Sequence, residues 1–226
     1  MTDRIFDLPR KDEAGVSYLS YSQMNLFKRD KDGYYRQYIL GEPFLGNEWT
    51  DFGLKVGGAL EKKDFSQFSP PETEILMKVP RLDHFEKEII VRYPGFYVKG
   101  FIDTVDCGYN RVIDYKTGGK DKEHQYADKD YTQLCYYALG LRQQIGITPS
   151  VGQVVFIRRG GNPFRGQPLI VAQEEPKIID VDISINRLKH VYWDTMKIAE
   201  EIEQFYLKHK ENGKNEKAYT ASIQGN

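Results

Sequence analysis

The chain has 226 residues, 40% of them hydrophobic and 29% charged, with a formal net charge of -1. That size and apolar content fit one globular domain with a full core and exclude a disordered chain. No apolar run reaches the length of a membrane span, the opening MTDRIFDLPRKDEAG lacks a signal-peptide core, and two cysteines, Cys107 and Cys135, exclude a disulfide framework or a four-cysteine metal site.

Residues 1–16 read as a loosely held polar arm. Ser20 is placed to cap a helix over Tyr21–Arg29, with Met24, Leu26 and Phe27 as its apolar side. Asp30–Gly33 is a break, and Tyr34–Leu40 a second short helical stretch. Gly41–Asp51 reads as loop and Phe52–Lys63 as helix, although Gly53, Gly57 and Gly58 weaken the pattern. Pro70 and Pro71 break the chain before a helical piece at Glu72–Met77. Glu88–Tyr93 is rich in β-branched residues, and Pro94-Gly95 signals a turn. Tyr97–Val105 and Arg111–Thr117 read as strands joined through Cys107–Asn110. A polar loop, Gly118–Asp130, precedes a helix over Tyr131–Ile145. Val151–Arg158 and Ile178–Ile183 read as strands, Ile185–His209 as a long final helix, and residues 211–226 as a loosely ordered end. This order predicts an α/β fold, a mixed central β-sheet flanked by helices, in a single domain over residues 1–226.

The hairpin carries the chemistry. With Cys107 facing Asn110, the count places Asp103 opposite Asp114, their Cβ atoms roughly 4.5–5.5 Å apart. Strand alternation puts Asp103, Asp114 and Lys116 on one face. Two opposed carboxylates repel unless a cation lies between them, and hard divalent cations take carboxylate oxygens as ligands. A lysine one pleat further on can stabilise charge developing on a phosphate. The set points to metal-assisted hydrolysis of a phosphodiester.

The segment VKGFIDTVDCGYNRVIDYKTG resembles the central motif of the PD-(D/E)XK nuclease superfamily, in its RecB-type branch, through Gly100, Asp103, Asp114, Tyr115, Lys116, Thr117 and Gly118. SYLSYSQMNLFKRDKDGYYRQYILGE is similar to the N-terminal helical signature of that branch, GGALEKK to its segment for an extra metal ligand, and YTQLCYYALGL to the helix after the hairpin. The resemblance implies a restriction-endonuclease-like core of helix, three strands, helix, strand. It implies Mg²⁺ or Mn²⁺ held by Glu61, Asp103, Asp114 and the Ile113 carbonyl, with Lys116 catalytic. Gln133 and Tyr137, one helical turn apart, are then expected to contact DNA or the carboxylates. Ser22, Arg29, Tyr35 and Arg36, in the N-terminal signature with its interleaved basic and aromatic residues, are expected to bind substrate. Arg158, Arg159 and Arg165 near a Gly-rich loop form a second basic patch.

The chain departs from the branch in lacking the N-terminal cysteine–proline, and two cysteines cannot hold the iron–sulfur cluster of some relatives, so none is expected. It resembles a stand-alone nuclease, like the exonucleases that phages use in recombination. That implies a DNA exonuclease of recombination, repair or replication, in the cytoplasm (the host's if phage-encoded), with no membrane association. The resemblance allows a homo-oligomer and a recombination or single-strand-annealing protein as partner. The alternative is a non-catalytic nucleic-acid- or protein-binding module on the same fold; the presence of Glu61, Asp103, Asp114 and Lys116 together argues against it.

Overall fold

The computed structural model describes residues 4–127 and 131–224, with side chains as far as Lys210. In chain order the elements are β1 (Tyr18–Leu19), α1 (Tyr21–Arg29), α2 (Lys31–Tyr34), a π-helical turn (Tyr35–Leu40), α3 (Glu48–Lys62), α4 (Pro70–Met77), β2 (His84–Tyr93), β3 (Phe96–Val105) and β4 (Arg111–Gly118). A 3-10 segment (Lys120–Tyr126), α5 (Gln133–Ile145), β5 (Val151–Gly160), a 3-10 turn (Pro163–Arg165), β6 (Ile170–Val171), β7 (Lys177–Asp180) and α6 (Ile185–Gln224) complete the order. Among the described residues no helix is long and apolar enough to cross a membrane.

Most differences from the sequence reading lie at element ends, where caps decide. Ser20 caps α1 as expected, its side chain accepting the Gln23 amide. Asp30 does not simply end that helix; its carboxylate accepts the Gly33 amide at 2.9 Å and starts α2. Helix α3 begins at Glu48 rather than Phe52, because Asn47 Oδ1 accepts the Thr50 amide at 2.9 Å. Pro70 and Pro71 open α4 instead of breaking the chain. Proline fits a first helical turn, where its missing N–H is not needed, and Glu72 returns to the Ser69 amide at 2.9 Å. The expected strand over Ile178–Ile183 ends at Asp180; Asp182 then accepts the Ser184 amide and turns the chain into α6. Of the loop expected over Gly118–Asp130, residues 120–126 form the 3-10 segment and residues 128–130 lie outside the described residues.

The chain divides into two compact units, interleaved in sequence. The first comprises residues 1–45, 90–100 and 189–226. In it β1 runs parallel to the start of β3, pairing Tyr18 with Tyr97 and Leu19 with Val98. Its core is aromatic: Phe27 packs edge-on against Tyr34 and Phe205, and Tyr93 stacks on Phe96 and Tyr192. From Arg4 on, the N-terminal arm is held rather than loose. Phe6 and Leu8 are buried, and Arg4 reaches Glu200 and Glu203, each at 2.7 Å. Two apolar side chains at alternating positions offset the ordering entropy that a polar arm could not.

The second unit, residues 46–89 and 101–188, holds the mixed sheet. Strand β4 pairs antiparallel with β3 and parallel with β5 over its full length, from Arg111↔Val151 to Gly118↔Arg158. The parallel pair needs a crossover, which α5 supplies. The other edge of β5 pairs antiparallel with β7 and β6. Val154, Val155, Phe156 and Ile157 are all fully buried, the continuous apolar run expected of a strand covered on both faces. One face carries Ile113, Val155 and Ile157 against Phe52, Val56 and Leu60 of α3 and Ile75 and Leu76 of α4. The apolar positions of α3 fall at helical spacing, so this packing holds the helix despite its glycines. The opposite face meets α5.

Gly140 of α5 passes close to β2. A Cβ there would lie 2.6 Å from the Ile89 Cβ. Gly140→Ala is therefore expected to destabilise the protein by about 1–3 kcal/mol through overpacking, although alanine favours helix, and denaturant unfolding measures it.

Candidate active site

The β3–β4 turn is closed by Asp106, whose Oδ1 accepts the Asn110 and Arg111 amides, both at 2.7 Å. Tyr109 occupies the left-handed position of this turn, with φ 56°. The closure sets the register expected from the sequence: Val105 pairs with Val112 and Thr104 with Ile113. The next row puts Asp103 opposite Asp114. Alternation along β4 sends Ile113 and Tyr115 to the α3–α4 side and Asp114 and Lys116 to the α5 side.

Asp114 is fully buried. Its Oδ1 and Oδ2 lie 2.9 and 2.8 Å from the Lys116 Nζ. The Tyr137 hydroxyl lies 3.1 Å from Oδ1, and the Tyr131 hydroxyl donates to Oδ2. Asp103 accepts the Tyr115 amide through Oδ2 at 2.7 Å, while its Oδ1 lies 3.5 Å from the Tyr137 hydroxyl. Gln133, at the first position of α5, donates its side-chain amide to the Tyr137 oxygen at 2.8 Å. The hydroxyl proton of Tyr137 is thereby left for a carboxylate. One helical turn separates Gln133 from Tyr137, and Tyr131 sits just before α5, so a single helix start brings three polar side chains onto the acidic pair.

Burial, then the charge of Asp114, pushes Asp103 up to about 7. Burial works against the charge of Lys116, but Asp114 and Asp103 outweigh it and hold the ammonium above its ordinary value. Tyr137 is pushed well up by burial and the adjacent carboxylates, which keeps it a neutral donor. One lysine thus faces two carboxylates in a buried place. That excess of negative charge, offered on hard oxygen donors, fits a divalent cation.

The structure brings Asp103, Asp114, Lys116, Gln133 and Tyr137 together, with Ile113 in the same strand. Glu61, in the last turn of α3, has an exposed side chain; Arg81 donates to its carbonyl at 3.0 Å. Among the described residues no three of Asp, Glu, His and Cys gather as a cation site, so Glu61 is not in one cluster with the two aspartates. Ser22, Arg29, Tyr35 and Arg36 belong to the first unit. There Ser22 meets Ser20 at 3.1 Å, the Tyr35 ring lies 5.3 Å from His209, and Arg29 and Arg36 are exposed.

Two residues escaped the sequence reading. Tyr131 is one; its place two residues before Gln133 was the available signal. Glu86 is the other, an exposed strand residue at φ 49°. Partial desolvation and the charge of Glu61 raise its carboxyl, and it in turn raises Asp103. No sequence period marks that backbone kink.

A raised carboxyl binds its proton more tightly folded than unfolded, so its unfavourable ionisation weighs on stability above pH 7 and is relieved as pH falls from about 7 towards 4. Asp103→Asn, which keeps an acceptor for the Tyr115 amide, should raise the thermal midpoint of the metal-free protein at pH 8 by roughly 5 °C or more. The gain should be small at pH 5; scanning calorimetry at both pH values measures it.

The sequence profile of the PD-(D/E)XK nuclease superfamily matches residues 52–214. The N-terminal helical segment that resembles a RecB-type signature lies outside that match. Among solved structures, the chain is similar to that of a "Putative exonuclease" from Eubacterium rectale, with a TM-score of 0.57 and 16% identity over 85% of this chain and 83% of the other. At that identity the likeness shows the fold. No curated protein sequence matches significantly. A buried aspartate pair and lysine on a β-hairpin, within a matched span well over half of its length, make this chain a member of the PD-(D/E)XK nuclease superfamily.

Proposed function

We propose that the protein is a metal-dependent deoxyribonuclease, acting as an exonuclease on DNA ends in recombination, repair or replication. The observation that carries this reading is the buried, opposed pair Asp103 and Asp114 with Lys116 2.9 Å from Asp114. Mg²⁺ or Mn²⁺ held by Asp103, Asp114 and the Ile113 carbonyl would polarise a phosphoryl oxygen and lower the pKa of a bound water. Asp114 is fixed in orientation by Lys116, Tyr131 and Tyr137. Lys116, a quarter exposed, stays charged and stabilises negative charge developing on the phosphate. Gln133 and Tyr137 orient the carboxylates from α5, and Ser22, Arg29, Tyr35 and Arg36 contact the DNA backbone. A cytoplasmic location, with a single-strand-annealing protein as partner, accords with this role.

Purified protein should cleave DNA in Mg²⁺ or Mn²⁺ and not in EDTA. Lys116→Ala should lower kcat by about 10²–10³-fold. Intact linear duplex and single-stranded DNA, or an undiminished Lys116→Ala rate, would sink the proposal. DNA binding without cleavage would mark a non-catalytic module instead. End-labelled linear DNA digested beside closed circular DNA tests end dependence: an exonuclease degrades the linear form alone, and the label gives polarity.

A further inference from the structure

The second unit exposes a group of side chains that the carboxylate centre does not use. Trp49 stands in the first turn of α3, Phe164 on the 3-10 turn after β5, and Arg159 near the end of β5. The Trp49 and Phe164 ring centroids are 5.1 Å apart, and the Arg159 guanidinium lies 5.7 Å from the Trp49 ring centre. Phe164 is 86% exposed. Its loop is nonetheless held in one shape. Asn162 Oδ1 accepts the Phe164 amide at 3.1 Å, and the Asn162 carbonyl accepts the Gln167 amide at 3.1 Å. Gly161 has φ +86°, and a Cβ there would collide with the Pro168 carbonyl. Arg158 is committed to Glu123 and Glu174. Arg159 makes no ion pair among the described residues, and Arg165 is exposed.

The strand register locates this group relative to the centre. Lys116 pairs with Phe156 and Gly118 with Arg158, so Arg159 lies three rows beyond Lys116, about 10 Å along the strands. Gly53, one turn after Trp49 on α3, lies against Thr117, the residue following Lys116; a Cβ on it would be 3.5 Å from the Thr117 hydroxyl oxygen. The rings therefore stand at the same end of β4 and β5 as Lys116.

We propose that Trp49, Phe164 and Arg159 form a platform on which unpaired bases of a single DNA strand stack, with Arg159 and Arg165 meeting its phosphates. Every base has a π face, so stacking on aromatic rings is tolerant of sequence, and guanidinium groups add phosphate attraction. Bases inside a duplex have their faces covered by their neighbours, so the platform favours a single strand or a frayed end. A rigid loop presents Phe164 without an ordering cost on binding. The inference rests on the nuclease reading, in that the strand held here leads to Asp103 and Asp114.

The chain has two tryptophans, Trp49 and Trp193, so Trp193→Phe leaves Trp49 as the single reporter. In EDTA, oligothymidylate should quench its emission, and an abasic strand of equal length should not at the same concentration. Phe164→Ala, an exposed change that leaves the core intact, and Trp49→Ala should each weaken binding of labelled oligothymidylate about 5- to 150-fold. Trp49→Phe should keep most of the affinity, and binding of the abasic strand should be unchanged in all three. Affinity of Phe164→Ala within about twofold of the parent, or equal losses on the abasic strand, would overturn the platform. A parent that binds thymidylate through Trp49 yet cleaves nothing in Mg²⁺ refutes the nuclease reading alone. A parent that cleaves DNA while Phe164→Ala binds and cleaves equally refutes the platform alone.

Discussion

The constraint on which the second unit depends is the burial of two carboxylates in one row of a β-hairpin. Asp114 is fully buried, and the register brings Asp103 opposite it. Unrelieved, such a pair is strongly unfavourable. The surrounding sequence reads as a set of offsets: the Lys116 ammonium, the Tyr131 and Tyr137 hydroxyls and the Tyr115 amide all donate to it. The offset is incomplete, since Asp103 still stands at about 7. That residual tension is the structural property that suits the pair to a cation, and it is maintained at the expense of stability.

Two helices serve this pair from opposite sides of the sheet. Helix α5 delivers polar groups to it while burying Leu134, Ala138 and Leu141. The close approach at Gly140, where a side chain would meet Ile89, helps fix where the start of α5 falls. Helix α3 supplies the other face with Phe52, Val56 and Leu60, and its first turn carries Trp49. Gly57 on α3 faces open space. One helix thus combines a buried apolar stripe, which holds it on the sheet, with Trp49 in its first turn and Glu61 in its last.

Much of this was legible from local pattern. Strand alternation and the Cys107–Asn110 loop predicted the β3–β4 register, because a two-fold side-chain period and a short turn leave little freedom in a hairpin. Ser20 as a cap, the apolar run of β5 and the Gln133–Tyr137 spacing were equally local. Cap chemistry at Asn47 and Ser69 was also present in the sequence, yet glycines and prolines nearby masked it. The membership of Tyr131 in the site was less legible, since it precedes α5 and belongs to no helical period.

Local pattern is enough to define the hairpin and its acidic row, with Asp103, Asp114 and Lys116 on one face, since neighbours in the chain and one turn suffice for it. The company this row keeps comes from long-range packing. The Tyr131 and Tyr137 hydroxyls reach Asp114 because α5 crosses back over β4, and Trp49 meets Phe164 because α3 packs beside the end of β5. Glu61 stays out of the aspartate cluster because the last turn of α3 leaves that side chain in solvent. These relations join residues far apart in the chain through packing, and side-chain period and turn chemistry carry no information over such separations.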